Sequence, residues 1–249
     1  MMFCGVTAAL VIGAVAERGR VLPAMVFIFC WATLVYCPLA CWVWNVNGWA
    51  FNYGVLDYAG GGPVEIGSGL SALAYSWILG RRHERMMLNF RPHNVSLVTL
   101  GTILLWFGWL GFNGGSAFGA NLRATMAMWN SCLTAMFAAM TWCLLDFRLA
   151  RKWSMVGWCS GTISGLVAAT PASGFIPPWA SIILGVVTGV CCNFGTKCEC
   201  SLYRMIWVCA RVERRLTDLL FFFKQSSSWC GSTTRSMCSP STGLAGSWD

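Results

Sequence analysis

The chain has 249 residues, 57% of them hydrophobic and only 10% charged, with a mean hydropathy of +0.61. Soluble domains carry roughly a quarter charged residues, so the composition excludes an ordinary water-soluble domain and specifies an all-α, polytopic transmembrane helical bundle. The net charge of +8 lies in short basic clusters between apolar runs, which excludes a nucleic-acid-binding surface.

In chain order the apolar spans fall at about 1–16, 21–44, 57–80, 95–113, 123–147, 154–170 and 178–196. Most approach the roughly 20 residues needed to cross a bilayer as a helix. Basic residues recur at alternate ends: Arg18 and Arg20, then Arg81, Arg82, Arg85 and Arg91, then Arg148, Arg151 and Lys152, then Lys197. The other loops, 45–56, 114–122 and 171–177, have only Arg123 at one margin, so the positive-inside bias puts the basic loops in the cytoplasm. Glycines recur inside the spans, at Gly60–Gly62, Gly67, Gly69, Gly108, Gly111, Gly161, Gly165, Gly185 and Gly189, where they let helices approach closely. Pro38, Pro63 and Pro171 mark kinks or helix ends.

Fourteen cysteines are not read as a disulfide scaffold in so apolar a chain; Cys30, Cys37 and Cys143 are expected as small buried membrane residues. Cys191-Cys192 and Cys198-x-Cys200 lack a zinc-ligand pattern, and His83 and His93 sit in a loop. No metal or cofactor is expected.

Chemistry concentrates in Leu56–Gly69, where Asp57 and Glu65 interrupt an apolar, glycine-rich run. On a helix their spacing places both on roughly one face. A carboxyl inside a membrane span is costly and usually faces a bundle interior or a polar pathway. Asp57 also suits a helix N-cap. A membrane enzyme using the two as acid and base would need a nucleophile or metal cluster beside them, and none is visible.

The run Asp57-Tyr-Ala-Gly-Gly-Gly-Pro-Val-Glu65 resembles the fifth membrane helix of the ammonium transporter family (Amt/Mep/Rh). Gly13-Ala14-Val15-Ala16-Glu17-Arg18, Tyr36-Cys37-Pro38, Arg91-Pro92-His93-Asn94, Trp106–Ser116 and Ser160–Gly174 agree in order. The resemblance covers about residues 1–197 and implies about seven of the family's eleven helices, so the chain is expected to be a fragment. It implies ammonium or methylammonium transport by cation recruitment, deprotonation and passage through an apolar pore. The setting is a plasma-membrane, multi-pass protein in contact with lipid, with a homotrimer for the full-length form. By position it makes Phe3 and Phe112 the gate, Trp44 and Ser116 the outer cation site, Asp57 its support and Trp109 a pore-lining ring. Taken alone, Trp44 is no different from Trp42 or Trp49 as an interfacial aromatic.

Glu65 stands where most members carry the first of two pore histidines and one fungal branch carries glutamate. A carboxyl there can be neutral and donate, or charged and attract a cation. The partner histidine, in a His-Gly-x-x-Gly setting, is missing, since His83 and His93 are the only histidines. A non-transporting fragment is therefore the alternative.

Residues 198–249 turn polar and aperiodic and read as a translated intron followed by an out-of-frame exon. Cys198-Glu199-Cys200 can be encoded TGT-GAG-TGC, which contains the splice-donor sequence GTGAGT. Leu216-Thr217 fits a branch point, Phe221–Phe223 a pyrimidine tract and Lys224-Gln225 an acceptor. Excision shifts the frame, and the codons from Ser226 onward then permit a run ending Ala-Leu-Asp-Val-Phe-Ala-Val-His-Gly-Val-Gly-Gly-Ile-Leu-Gly. Ser241-Thr242 supplies the histidine codon.

Overall fold

Inside a bilayer each backbone amide must find its partner within its own segment, which leaves the helix as the economical solution. A computed structural model describes residues 2–14, 16, 19–80 and 92–197, and among these there are helices and turns but no strand. Arg18, Arg81, Arg82, Arg85, Arg91, His83 and the tail from 198 to 249 lie outside the described residues.

The elements are α1 (Met2–Gly13), α2 (Val21–Trp31), α3 (Cys37–Trp44), α4 (Trp49–Asn52) and α5 (Gly67–Leu79). They continue as α6 (Val95–Gly115), α7 (Leu122–Ala150), α8 (Met155–Ala169) and α9 (Pro178–Lys197). A π turn over Ala32–Tyr36 joins α2 to α3, and a second, Gly61–Ile66, leads into α5. Each expected span has a helical counterpart. The largest difference is at 57–80, where the helical backbone begins at Gly61 and Asp57 stands in the preceding loop.

The starts of α6, α7 and α8 follow from local chemistry. Asn94, Asn121 and Ser154 each accept a hydrogen bond from the amide three residues on, at 3.1, 2.9 and 3.0 Å, which satisfies one of the free N–H groups of the first turn. Hydroxyls within the helices are satisfied internally: Thr7, Thr102, Ser131, Thr134 and Thr162 donate to the carbonyl four residues earlier. Pro171 stands just past the end of α8, where a missing N–H costs little, whereas Pro38 lies inside the continuous helical run from Val21 to Trp44, directly after the irregular π turn Ala32–Tyr36.

These helices pack as one unit, Met1–Phe194. In lipid there is no hydrophobic drive between helices, so close packing depends on small residues. The buried face of α7 is Ala127, Asn130, Ser131, Thr134, Ala135, Ala138, Ala139 and Trp142. Gly161 and Gly165 of α8 rest directly on it; a Cβ at Gly165 would sit 2.7 Å from the Thr134 carbonyl oxygen. Gly185 and Gly189 of α9 meet the same helix at the Thr134 and Ala138 carbonyls. Gly108 and Gly111, by contrast, face open space, so those two glycines serve no contact among the described residues. Cys30 and Cys37 are also exposed, against expectation, although Cys159 is buried and Cys143 half-buried. On helices apolar all round, composition does not distinguish the packed face from the outer one.

Candidate functional site

Asp57 organises the loop that precedes the Gly61–Ile66 turn. Its Oδ1 accepts from the amides of Gly60 and Gly61 at 2.8 and 2.7 Å, and its Oδ2 from Gly62 at 2.7 Å. The carboxylate therefore caps the Gly61–Ile66 turn, but from the loop before it. The expectation that Asp57 and Glu65 share one helical face is corrected accordingly: Asp57 is not helical. Gly60 makes the fold-back possible with φ +106, a conformation L side chains rarely adopt. A Cβ there would also lie 2.7 Å from Val64 and 3.0 Å from the Trp44 ring.

Four rings brought from three parts of the chain form a continuous row. Trp44, at the end of α3, lies 5.6 Å from Phe3 of α1, centroid to centroid. Phe3 meets Phe112 of α6 edge-to-face at 4.6 Å and 80°, and Phe112 is 5.2 Å from Trp109. Both geometries suit the attraction between a ring edge and a neighbouring face. Phe112 belongs to two packing clusters, one centred on Val11, Trp31, Tyr36 and Val64, the other on Trp109, Ala135 and Leu166. One turn beyond it, the buried Ser116 hydroxyl donates to the Phe112 carbonyl at 2.7 Å, which leaves its oxygen lone pairs as acceptors.

Glu65 sits in the π turn. Such a turn holds an extra residue, and the amides of Val64 and Glu65 both reach back to the Gly60 carbonyl, at 2.9 and 3.3 Å. The Glu65 side chain is half-buried, yet its Oε1 is fully enclosed without a hydrogen-bond partner among the described residues. A buried carboxyl oxygen left unsatisfied is costly, and it is the kind of group that exchanges a proton or engages a polar guest.

Sequence reasoning missed Thr170. Its hydroxyl accepts from the indole N–H of Trp109 at 3.0 Å and donates to the Leu166 carbonyl at 3.0 Å. Its own carbonyl accepts from the Ala59 amide at 3.2 Å, while the Pro171 carbonyl takes the Tyr58 amide at 3.0 Å. Thr170 thus connects the ring row, the Asp57 loop and the end of α8. The only local signal is a threonine-proline pair closing an apolar run. Asn113, buried and next in sequence to Phe112, donates to Ser131 of α7 at 2.7 Å and ties α6 to α7.

A bundle of apolar helices long enough to cross a bilayer, holding a row of four aromatic rings and a carboxyl with an enclosed oxygen, defines a multi-pass membrane protein. The profile of the Ammonium Transporter Family matches residues 1–208. Ammonium transporter MEP1 of Saccharomyces cerevisiae is 59% identical over 197 residues, covering 79% of this chain and 40% of that protein. Ammonium transporter 2 of Schizosaccharomyces pombe is 57% identical over 197 residues, covering 79% and 38%. The crystal structure of Candida albicans Mep2 superposes with a TM-score of 0.76 at 48% identity, over 80% of this chain and 45% of that one. The chain belongs to the Ammonium Transporter Family and spans about two-fifths of the length of these curated relatives.

Proposed function

We propose that the protein carrying this sequence moves ammonium and methylammonium across the plasma membrane, as a homotrimer in its full-length form. The observation that carries the reading is the Trp44–Phe3–Phe112–Trp109 row, together with the enclosed Oε1 of Glu65. The face of Trp44 attracts a cation through its quadrupole, and the Ser116 oxygen accepts one N–H. Asp57, held by three amides, adds a fixed negative charge behind them. The edge-to-face phenylalanines exclude a hydrated ion, so ammonium gives up a proton and ammonia passes the apolar segment. Glu65 carries that proton. Ser116→Ala should lower the preference for ammonium over potassium several-fold, because one acceptor is lost, and Trp44→Leu should do the same. Competition of potassium with methylammonium uptake measures it; unchanged selectivity in both variants means the site is elsewhere.

The second reading, a fragment that does not transport, is favoured by the missing pore histidine. We propose that the histidine lies in the frame restored by excising the intron between Cys198 and Gln225, which would reconcile the two readings. Sequencing of spliced message across this junction should show the excision and a His-Gly-x-x-Gly product. A mature message that keeps those bases refutes it.

A further inference from the structure

The connection between α7 and α8 carries three cations within a few residues: Arg148 in the last turn of α7, then Arg151 and Lys152 just beyond it. All three are exposed, and no carboxylate among the described residues pairs with any of them. The acid closest in sequence, Asp146, is committed elsewhere: its Oδ1 accepts from Asn193 of α9 at 3.0 Å, and its Oδ2 lies against Gly157 of α8. Arg148 has a sufficient local account, since a cation in the last turn complements the helix dipole. Arg151 and Lys152 have none.

Arg151 is also in a place where chains usually put glycine. Its φ of 54° is left-handed, and its amide closes the helix on the Phe147 carbonyl at 2.9 Å. An arginine there bears a conformational cost that glycine would avoid. The turn it makes lets Trp153 stack on Phe147, with centroids 4.6 Å apart and planes 16° from parallel. Trp153 remains 66% exposed. On the preceding turns Leu144 and Leu149 are exposed and apolar. Exposed apolar side chains, an indole and three unpaired cations are therefore gathered between Leu144 and Trp153, the mixture of side chains found where a segment meets the boundary of hydrocarbon and headgroups.

We infer that Arg148, Arg151 and Lys152, together with the Phe147–Trp153 stack, form a docking surface for the headgroups of anionic phospholipids in the leaflet where α7 ends. Charge complementarity selects the occupant. A zwitterionic headgroup brings its own cation and cancels the attraction, whereas an anionic one leaves a net phosphate charge for each basic group. The surface depends on the chain spanning a membrane but not on what it transports, so lipid binding and uptake can fail independently.

The test uses the whole 249-residue chain in nanodiscs containing brominated phosphatidylserine or brominated phosphatidylcholine at equal mole fraction. The contribution of Trp153 is isolated by subtracting the fluorescence of a Trp153→Phe variant. Bromine on the serine lipid should quench it strongly and bromine on the choline lipid hardly at all. The preference should fall about fivefold for each cation replaced by glutamine, and it should weaken with salt. Arg151→Gly guards against misfolding, because it relaxes the backbone while removing one charge; it should keep its thermal stability and lose its fivefold share. Equal quenching by the two lipids, or a preference untouched by Arg151→Gly and by the triple glutamine variant, would overturn the assignment.

Discussion

Asp57→Ala should abolish methylammonium uptake in a transporting form of the protein and lower its thermal stability in detergent. Three amides, those of Gly60, Gly61 and Gly62, lose a charged acceptor at 2.7–2.8 Å. Hydrogen bonds to a charged group contribute about 1.5–3 kcal/mol each, and the half-exposed setting lets water replace part of that. A net loss of about 3–6 kcal/mol is expected. The functional loss should exceed the loss of stability. Gly60 holds its left-handed conformation where the Trp44 ring comes closest, so relaxing the loop displaces the start of the ring row. Asp57→Asn keeps one acceptor oxygen, without the charge, and should fall between wild type and alanine. Normal expression with unchanged KM and melting temperature for Asp57→Ala would contradict this account.

The second large effect is expected at Glu65. Glutamine preserves the shape and hydrogen-bonding capacity of the side chain but cannot exchange a proton. If Glu65 carries the proton released by ammonium, Glu65→Gln should cut uptake by about 10²-fold at neutral pH, the scale on which a positioned acid or base acts. The pH dependence of the residual uptake should flatten, because the titrating group is gone. Glu65→His restores a titrating group of different intrinsic pKa and should return activity with a displaced pH profile. Asp57 is the acid eight residues before Glu65 and shapes the same turn, so the comparison is best made with Asp57 intact. A pH profile identical in wild type and Glu65→Gln, at equal surface expression, removes Glu65 from the proton path.

How much of this was legible in the sequence depends on the residue. The spans were, because hydropathy is local; capping is equally local, although Asp57 was the only cap expected from the sequence. Asn94, Asn121 and Ser154 start their helices through side-chain acceptors that reach only three residues along the chain. The outlier status of Glu65 was legible for the same reason: a carboxyl in an apolar run is conspicuous whatever surrounds it. Phe3, Trp44, Phe112, Ser116 and Trp109 were visible as candidates only through family resemblance, since an aromatic in a membrane helix has a lipid-facing explanation by default.

Tertiary structure alone decided the rest. It brought Phe3 within 4.6 Å of Phe112 across more than a hundred residues, and it made Thr170 the partner of both Trp109 and the Asp57 loop. It gave Gly161, Gly165, Gly185 and Gly189 a neighbour and left Gly108 and Gly111 with none among the described residues. It turned Cys30 and Cys37 outward and lifted Asp57 off the helix it was expected to begin. The reason is common to all of these. A soluble helix announces its buried face by an apolar stripe, but a helix in lipid is apolar on every side, so its sequence records that it spans and not which face is packed.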